Sequence, residues 1–446
     1  MQNFYPRILR LAIPIALQNL VTVSVSMADT LMLGALGEVP LSASSLANQP
    51  FFIFTLVTYG TAAGSNVLIS QFWGKRDRTS IKKTLAYTYR IILAFALVMS
   101  VLAICFPQLL MMVFTKEPAV IEAGVGYLRI VGVSYLFFGL ATITGNILRS
   151  LGTVRIALAA SIVSLIVNVF FNWVFIFGNL GAPQMGVSGA ALATSIARFA
   201  EFLIIACFMR FKAEKIRLRI RDLRHLDRQL CRPFFKNCLP VTCNELIWST
   251  GFSMLSVVIG HMGTAMTAAY SIYNVISQLS SVMSQGVAAA AAVIIGNTIG
   301  AGREEELGPI VRGLQRFARG VGLFAFVFVF ASRFVMPYLY DLQPESMKLL
   351  SQILLVGAFL EALRPNTFVN MVGILRGGGD AFFVLFNDVV YLWTVCLPLG
   401  AFAAFQLHLA PWIVFLLLRL DDVINIFTST WRIRSGRWIR NVTKYS

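Results

Sequence analysis

The sequence has few charged residues and almost no histidine. Only 13% of its 446 residues are charged, and it contains three histidines. A typical soluble protein has about 25% charged residues. A chain with so little charge cannot cover its apolar residues with a polar surface in water, which excludes a soluble globular protein. The scattered histidines form no Ser/His/Asp pattern, so we expect no enzyme.

Cysteine and acidic residues are also scarce. The six cysteines show no Cys-x-x-Cys spacing, and most lie in apolar stretches, which argues against disulfides and metal sites. There are 20 acidic residues against 37 lysines and arginines, a formal net charge of +17. In a soluble chain this excess would suggest nucleic acid. Here the basic residues lie in short loops between apolar runs, so no nucleic-acid partner is expected and no cofactor is implied.

Long apolar runs are what the chain has in abundance. The mean hydropathy is +0.75, and 57% of the residues are hydrophobic. The runs far exceed the ~9–11 residues of a barrel strand and do not alternate, so they indicate helices that span a bilayer. The sequence predicts an all-α integral membrane protein with twelve spans, at about residues 10–33, 46–72, 84–107, 123–147, 155–178, 187–210, 237–260, 268–298, 317–338, 348–373, 381–405 and 411–431.

Basic loops alternate with loops that hold little charge. The positive-inside rule places the basic loops, and with them both termini, in the cytoplasm. An even number of spans requires the same result. We therefore expect a multi-pass protein of the cytoplasmic (inner) membrane, with an N-lobe (1–210), a basic cytoplasmic linker (211–236) and a C-lobe with a basic tail (237–446). The linker could form an amphipathic helix on the membrane surface or be a solvated connector.

The two lobes are repeats of one module. Several residues match at an offset of 226, namely Pro14 with Pro240, Gln18 with Asn244, Gly34 with Gly260 and Gly37 with Gly263. The loop QFWGKRD (71–77) matches NTIGAGR (297–303), and LRSLG (148–152) matches LRGGG (375–379) at an offset of 227. Six spans in each copy make them parallel repeats with a cleft between them, an architecture typical of transporters with alternating access.

Motifs in both halves resemble one transporter family. They are MADTLMLGALG (27–37), SQFWGKRD (70–77), GNILRSLGT (145–153), MGVSGAALATSIAR (185–198), GNTIGAGR (296–303) and GILRGGGDAFF (373–383). Together they resemble the multidrug and toxic compound extrusion (MATE) family over essentially the whole chain. The stretch at 364–380 and the tail SGRWIRNVT (435–443) resemble its DinF-like, Firmicutes-type branch.

The resemblance implies a V-shaped fold of two six-helix lobes. It also implies a secondary antiporter that exports bulky, often cationic or amphiphilic drug-like compounds in exchange for H⁺ or Na⁺. We expect a monomer. The alternatives are a flippase for a lipid-linked or polysaccharide precursor, which would need a strongly basic cleft for phosphates, and a channel.

Asp29 is the first candidate site residue. It is a carboxylate inside an apolar span, where an unpaired charge is expensive and commonly functional. Asn168 and Asn172 share a helix face, and Thr194 lies on the next span, so the four predict a cation or proton site in the N-lobe. Na⁺ would bind at Asp29, Asn168 and Asn172. In related proteins an Asp often stands at the position of Asn172, and its absence shifts the prediction modestly toward H⁺.

The C-lobe offers a second set of acids. Glu245 matches the position of the family's glutamate on span 7, which implies cation coupling or substrate contact. Asp388 on span 11 and Glu361 on span 10 are further candidates, although Glu361 is also placed to pair with Arg364 at i+3. The sequence predicts two other structural pairs, Arg419 with Asp421 and Arg198 with Glu201.

Overall fold

The computed structural model describes residues 4–211, 220–223, 227–340 and 342–443, and within these ranges the regular structure is helical throughout. The helices before the linker are α1 (Phe4–Gly34), α2 (Glu38–Ala47), α3 (Gln49–Gly74), α4 (Arg78–Cys105), α5 (Pro107–Phe114), α6 (Pro118–Val131), α7 (Ser134–Ser150), α8 (Arg155–Phe177) and α9 (Gly186–Phe211). Those after it are α10 (Arg228–Gly260), α11 (Thr264–Gly300), α12 (Leu307–Leu339), α13 (Pro344–Phe368), α14 (Ala381–Val390), α15 (Leu397–Phe405), α16 (Pro411–Leu418) and α17 (Leu420–Arg434).

Helices occupy all twelve predicted spans. In the described part of the chain, nine are long and apolar enough to cross a membrane by length and composition, and α6 with α7 forms a tenth that is bent by 52°. The other two predicted spans are α10, which carries more polar residues, and the pair α16 and α17, which is interrupted at Arg419. The prediction of an all-α multi-pass membrane protein is confirmed.

The helices pack into two compact units. The N unit comprises Leu17–Ile69 and Asp77–Cys238, and the C unit comprises Met1–Ala16, Ser70–Arg76 and Leu239–Ser446. Because α1, α3 and α10 each pass from one unit to the other, these units are not the same division as the sequence repeats. The lobe boundaries at 1–210, 211–236 and 237–446 stay predictions.

Each unit has its own apolar core. In the N unit the core lies among α2, α3, α6, α7 and α9, where the rings of Phe54 and Tyr135 stack with centroids 5.5 Å apart. In the C unit α11 packs against α13 and α16, and the rings of Tyr273 and Phe415 meet edge to face at 4.9 Å. These cores bury helix faces whose opposite sides remain apolar, as expected for helices that face lipid.

The backbone repeats the sequence symmetry at the turns. Gly37 precedes α2 with a φ of 113°, and Gly263 precedes α11 with a φ of 110°. Residues other than glycine rarely adopt such angles. The matched glycines therefore serve the same purpose in each copy, which is to turn the chain between its first and second spans.

Another matched pair of glycines lets two helix ends touch. Gly74 at the end of α3 lies against the backbone of Asn297, and Gly300 at the end of α11 lies against the backbone of Gln71. A side chain at either position would overlap a backbone carbonyl group. The glycines of the loops QFWGKRD and NTIGAGR therefore allow a close helix approach within the C unit.

Replacing Gly300 with alanine is expected to destabilise the protein. The new methyl group would collide with the carbonyl of Gln71, and overpacking of this kind costs about 1–3 kcal/mol. Thermal unfolding of the purified protein measures the effect. Gly308→Ala is the matched control, because a Cβ there meets nothing within 4 Å. Equal melting temperatures for the two variants would contradict this account of the close approach.

The predicted linker is only partly described. Residues 212–219 and 224–226 lie outside the described residues. The prediction of an amphipathic helix falls mostly on them and stays a prediction. A 3₁₀ turn covers Ile220–Leu223, where Asp222 pairs with Lys82 of α4 at 2.8 Å. Asp227 then accepts a hydrogen bond from Lys83 at 2.8 Å, which lowers the pKa of its carboxyl group. The last part of the linker is helical, since α10 begins at Arg228.

Candidate functional site

The predicted N-lobe site is brought together within the N unit, where α1, α8 and α9 meet. The amide nitrogen of Asn172 donates to Oδ1 of Asp29 at 2.5 Å and to Oδ1 of Asn168 at 3.2 Å. The amide nitrogen of Asn168 donates in turn to the hydroxyl of Thr194 at 3.3 Å. Asn168 and Asn172 meet because they lie one helical turn apart on α8. All four predicted residues thus form one hydrogen-bonded cluster.

The cluster holds one carboxylate and only neutral partners. Asn172 is fully buried and Asn168 is 1% exposed, whereas Asp29 is half-buried. Among the described residues, no Lys or Arg lies within ion-pair distance of Asp29. The side-chain oxygen Oδ1 of Asn172 is buried and accepts no hydrogen bond from the described chain. That oxygen could accept a hydrogen bond from a protonated Asp29, or it could ligate a cation. These side chains therefore fit either H⁺ or Na⁺.

Arg198 and Glu201 do not make the predicted ion pair. The Arg198 guanidinium lies over the ring of Phe51, 3.7 Å from its centroid, and donates to the hydroxyl of Ser134 at 2.7 Å. Glu201 instead accepts a bond from Ser161 at 2.8 Å. The spacing along α9 permits the pair, but ring stacking and the serine hydroxyls provide each charge with a different partner.

A second polar network in the N unit was not predicted. Arg149 at the end of α7 donates to Oε1 of Gln18 at 2.7 Å, and Nε2 of Gln18 donates to Ser161 at 3.2 Å. The hydroxyl of Ser161 donates a hydrogen bond to Glu201. The network links α7, α1, α8 and α9 in one hydrogen-bonded series.

The C unit contains an equivalent network. Arg376 donates to Glu245 at 2.8 Å and also to the carbonyl oxygen of Asn244. The amide nitrogen of Asn244 donates to Asp388 at 3.1 Å, and Asn425 donates to the other oxygen of Asp388 at 3.3 Å. Two predicted site residues, Glu245 and Asp388, are therefore connected. Arg376 ends a π-helical stretch, Val369–Arg376, a distortion common at functional sites.

The sequence repeat relates the two networks residue by residue. The equivalent positions are Arg149 and Arg376, Gln18 and Asn244, and Ser161 and Asp388, at offsets of 226 or 227. In each copy the arginine thus donates a hydrogen bond to a side-chain amide, and that amide donates a hydrogen bond to a side-chain oxygen. The signal was present in the repeat, since Gln18 matches Asn244, but only the contacts show what the match does.

A cavity of about 240 Å³ opens beside the C-unit network. Its lining combines acids, arginines and aromatic side chains, including Glu245, Asp388, Asp421, Arg364, Arg376, Arg419, Trp248, Phe252 and Phe368. Its three arginines are each paired with a carboxylate, Arg376 with Glu245, Arg364 with Glu361 and Arg419 with Asp422. Asp388 and Asp421 are the acids of the lining that no described basic group neutralises at ion-pair distance.

The predicted pairing of Arg419 with Asp421 is wrong. Arg419 instead donates to Asp422 at 2.5 Å. Positions i and i+2 point away from each other on a helix, whereas i and i+3 are neighbours. Asp421 therefore lies on the cavity wall, and its Oδ1 is buried without a hydrogen-bond partner in the described chain.

The predicted pair of Glu361 and Arg364 is confirmed, with a distance of 2.7 Å. Glu361 is 1% exposed and also accepts a hydrogen bond from Ser277 at 2.6 Å. It lies behind Arg364 and is not part of the cavity lining. Of the three C-lobe candidates, Glu245 and Asp388 line the cavity and Glu361 anchors one of its arginines.

Comparison with known proteins finds relatives that match nearly the whole chain. A probable multidrug resistance protein NorM of Thermotoga maritima is 26% identical over 445 residues, 97% of this chain and 92% of its own. The uncharacterized transporter YisQ of Bacillus subtilis is 27% identical over 428 residues, 93% of this chain and 90% of its own.

Solved structures show the same fold. One is described as the outward-facing conformation of a multidrug resistance MATE family transporter of the MOP superfamily, with a TM-score of 0.88, 20% identity and coverage of 97% and 96%. A MOP superfamily transporter from Pyrococcus furiosus, described as having a binding pocket of reverse polarity that suggests a different function, gives a TM-score of 0.86, 19% identity and the same coverage.

The MatE family model matches twice, over residues 14–174 and 240–405. The two matches follow the internal repeat and together cover more than half of the chain. The assignment to the DinF-like branch stays a prediction. This protein belongs to the MATE family of multi-pass membrane transporters.

Proposed function

We propose that this protein is a secondary antiporter that exports bulky, often cationic or amphiphilic compounds in exchange for H⁺ or Na⁺. Asp29 is its main coupling carboxylate, and the two repeats rock to give alternating access. It works as a monomer in the cytoplasmic membrane, with both termini in the cytoplasm. The proposal draws on the family, on the name of the NorM relative and on the geometry around Asp29.

The observation that carries the proposal is that Asp29 has a neutral hydrogen-bond partner and no ion pair among the described residues. A carboxylate held by an arginine would keep its charge through a transport cycle. Asp29 accepts a hydrogen bond from Asn172 instead and makes no ion pair with a described residue, so binding of a cation neutralises a carboxylate that no salt bridge holds in its charged form. The free energy of that change is available to repack α1 against α8 and α9, which weakens substrate binding.

One feature favours H⁺ while leaving Na⁺ as the second candidate ion. The cluster has one carboxylate, and a hard cation such as Na⁺ is bound more strongly by two. The free carbonyl oxygen of Asn172 could complete either state, as the acceptor for a protonated Asp29 or as a ligand for Na⁺ together with Asn168.

The C-unit cavity is proposed as a second cation or substrate contact. Asp388 and Glu245 line it beside aromatic walls, which suits an amphiphilic cation. The pairing of its arginines with acids also argues against the flippase alternative, because phosphates would need unpaired arginines. Glu361 acts there through Arg364.

Transport into proteoliposomes distinguishes the coupling ions. The purified protein is reconstituted into liposomes that are loaded with a fluorescent organic cation. Either a pH gradient or a Na⁺ gradient is then imposed with the membrane potential clamped. We expect the pH gradient to drive movement of the dye and the Na⁺ gradient to drive little. Movement with Na⁺ alone would reverse the choice of ion, and movement with neither gradient would contradict the antiporter.

A further inference from the structure

Three arginines at the start of α12 have no partner in the part of the chain that the structure describes. Arg312, Arg316 and Arg319 are exposed, and none of them makes a hydrogen bond or an ion pair with the described residues. Their spacing of four and three residues places them on one face of the helix. This differs from the C-unit cavity, where each arginine meets a carboxylate. The start of α12 therefore carries three arginines that no acidic group of the described chain meets at ion-pair distance.

An apolar groove adjoins this charge. It has a volume of about 450 Å³ and lies where the start of α1 meets α11 and α12 within the C unit. It is lined by Tyr5, Met283, Arg316, Phe317, Gly320, Val321 and Phe324. Arg316 is the one charged residue of that lining, and it belongs to both the groove and the arginine face.

The groove is polar at one end and apolar along the rest. Arg316 and Phe324 are eight residues apart, which is about 12 Å along a helix. Arg316 lies just before the predicted span at 317–338, on the side that the positive-inside rule places at the cytoplasmic surface, and Phe324 lies within that span. A molecule that fits has an anionic group at its head and a hydrocarbon chain behind it.

We propose that this groove binds a phospholipid with an anionic headgroup. The phosphate lies at Arg316, flanked by Arg312 and Arg319, since guanidinium groups match phosphate oxygens in charge and geometry. An acyl chain runs along Phe317, Val321 and Phe324. Basic pockets beside transmembrane helices are known to hold such headgroups. The proposal concerns a lipid site and does not depend on which compound is transported.

The shape of the groove favours a lipid over a free anion. A soluble phosphate would use the arginines alone and would gain nothing from the apolar lining. A zwitterionic lipid would use the apolar lining but would bring no net charge to the arginines. An anionic lipid uses both, so it should bind more tightly than either.

Native mass spectrometry of the full-length protein in detergent tests the proposal. The protein is titrated with dioleoylphosphatidylglycerol, dioleoylphosphatidylcholine or inorganic phosphate. We expect one phosphatidylglycerol to be retained where phosphatidylcholine is not, and phosphate not to displace it. Arg316→Gln should weaken phosphatidylglycerol binding about fivefold, from the attraction of one basic residue. Arg155→Gln, an exposed arginine of the N unit, is the control and should change nothing.

A second variant tests the apolar part of the groove. A Cβ at Gly320 meets nothing within 4 Å, so Gly320→Leu should fill the groove without disturbing the fold and should also weaken lipid binding. Gly308→Leu, in the same helix and equally unobstructed, should leave binding unchanged. Equal retention of the two lipids, an equal loss in Arg155→Gln, or displacement by phosphate with no effect of Gly320→Leu would each overturn the proposal.

Discussion

Asp29→Asn is expected to reduce gradient-driven transport to the level of liposomes without protein. Asparagine has the shape of the carboxylate but can neither bind a proton nor offer a charge to Na⁺. The link between ion binding and the packing of α1 against α8 would then be lost, while Asn168, Asn172 and Thr194 could still hydrogen bond. Dye transport in proteoliposomes, compared at equal amounts of reconstituted protein, measures the effect.

The fold of this variant should remain intact. Removing a charge that is in no ion pair and has neutral hydrogen-bond partners should leave the melting temperature unchanged or raise it. Glu345→Gln, which neutralises an exposed acid at the start of α13, is the matched control and should transport normally. Asp29→Glu should retain part of the activity. Transport by Asp29→Asn at the rate of the unmodified protein would rule out Asp29 as the coupling residue.

Glu361→Gln is expected to destabilise the protein by about 3–5 kcal/mol, because it leaves the charge of Arg364 buried without a counter-ion. Both residues are more than nine-tenths buried, and Arg364 donates to Glu361 and Ser277 at 2.7 Å each. Chemical or thermal unfolding in detergent measures the loss. The change should be far larger than the effect of breaking an exposed pair.

The chain provides that exposed pair. Arg303 and Glu306 lie 3.3 Å apart, and both side chains are about half exposed. Glu306→Gln should change stability by no more than about 1 kcal/mol. The double variant Glu361→Gln with Arg364→Met should regain much of the stability lost in the single one, because the unpaired charge is gone. A loss in Glu361→Gln no larger than that in Glu306→Gln would show that the buried charge is compensated in another way.

The spacing of residues along the helices predicted some contacts of the candidate site and missed others. The spacing of Asn168 and Asn172 was enough to predict that they share a face of α8. The hydrogen bond from Asn172 to Asp29 joins residues 143 positions apart, and the sequence predicted it only as one plausible meeting of polar groups. The local i, i+3 rule held for Arg419, whose partner is Asp422, whereas the prediction had chosen Asp421 at i+2. It failed for Arg198 because an aromatic ring and a serine competed with Glu201.

The sequence by itself determined that this protein lies in a membrane, that its fold is all-α and that it consists of two repeats. Those properties follow from sums and periods, such as low charge, long apolar runs and matched motifs, which do not depend on contacts. The tertiary structure decided which charges neutralise one another, why Gly74 and Gly300 stand at matched helix ends, and which acids remain free. Ion pairs depend on distances of a few ångströms between helices far apart in the chain, and no local pattern encodes such distances. Asp29 emerged from the sequence as a costly charge, and only packing showed that its partners are neutral.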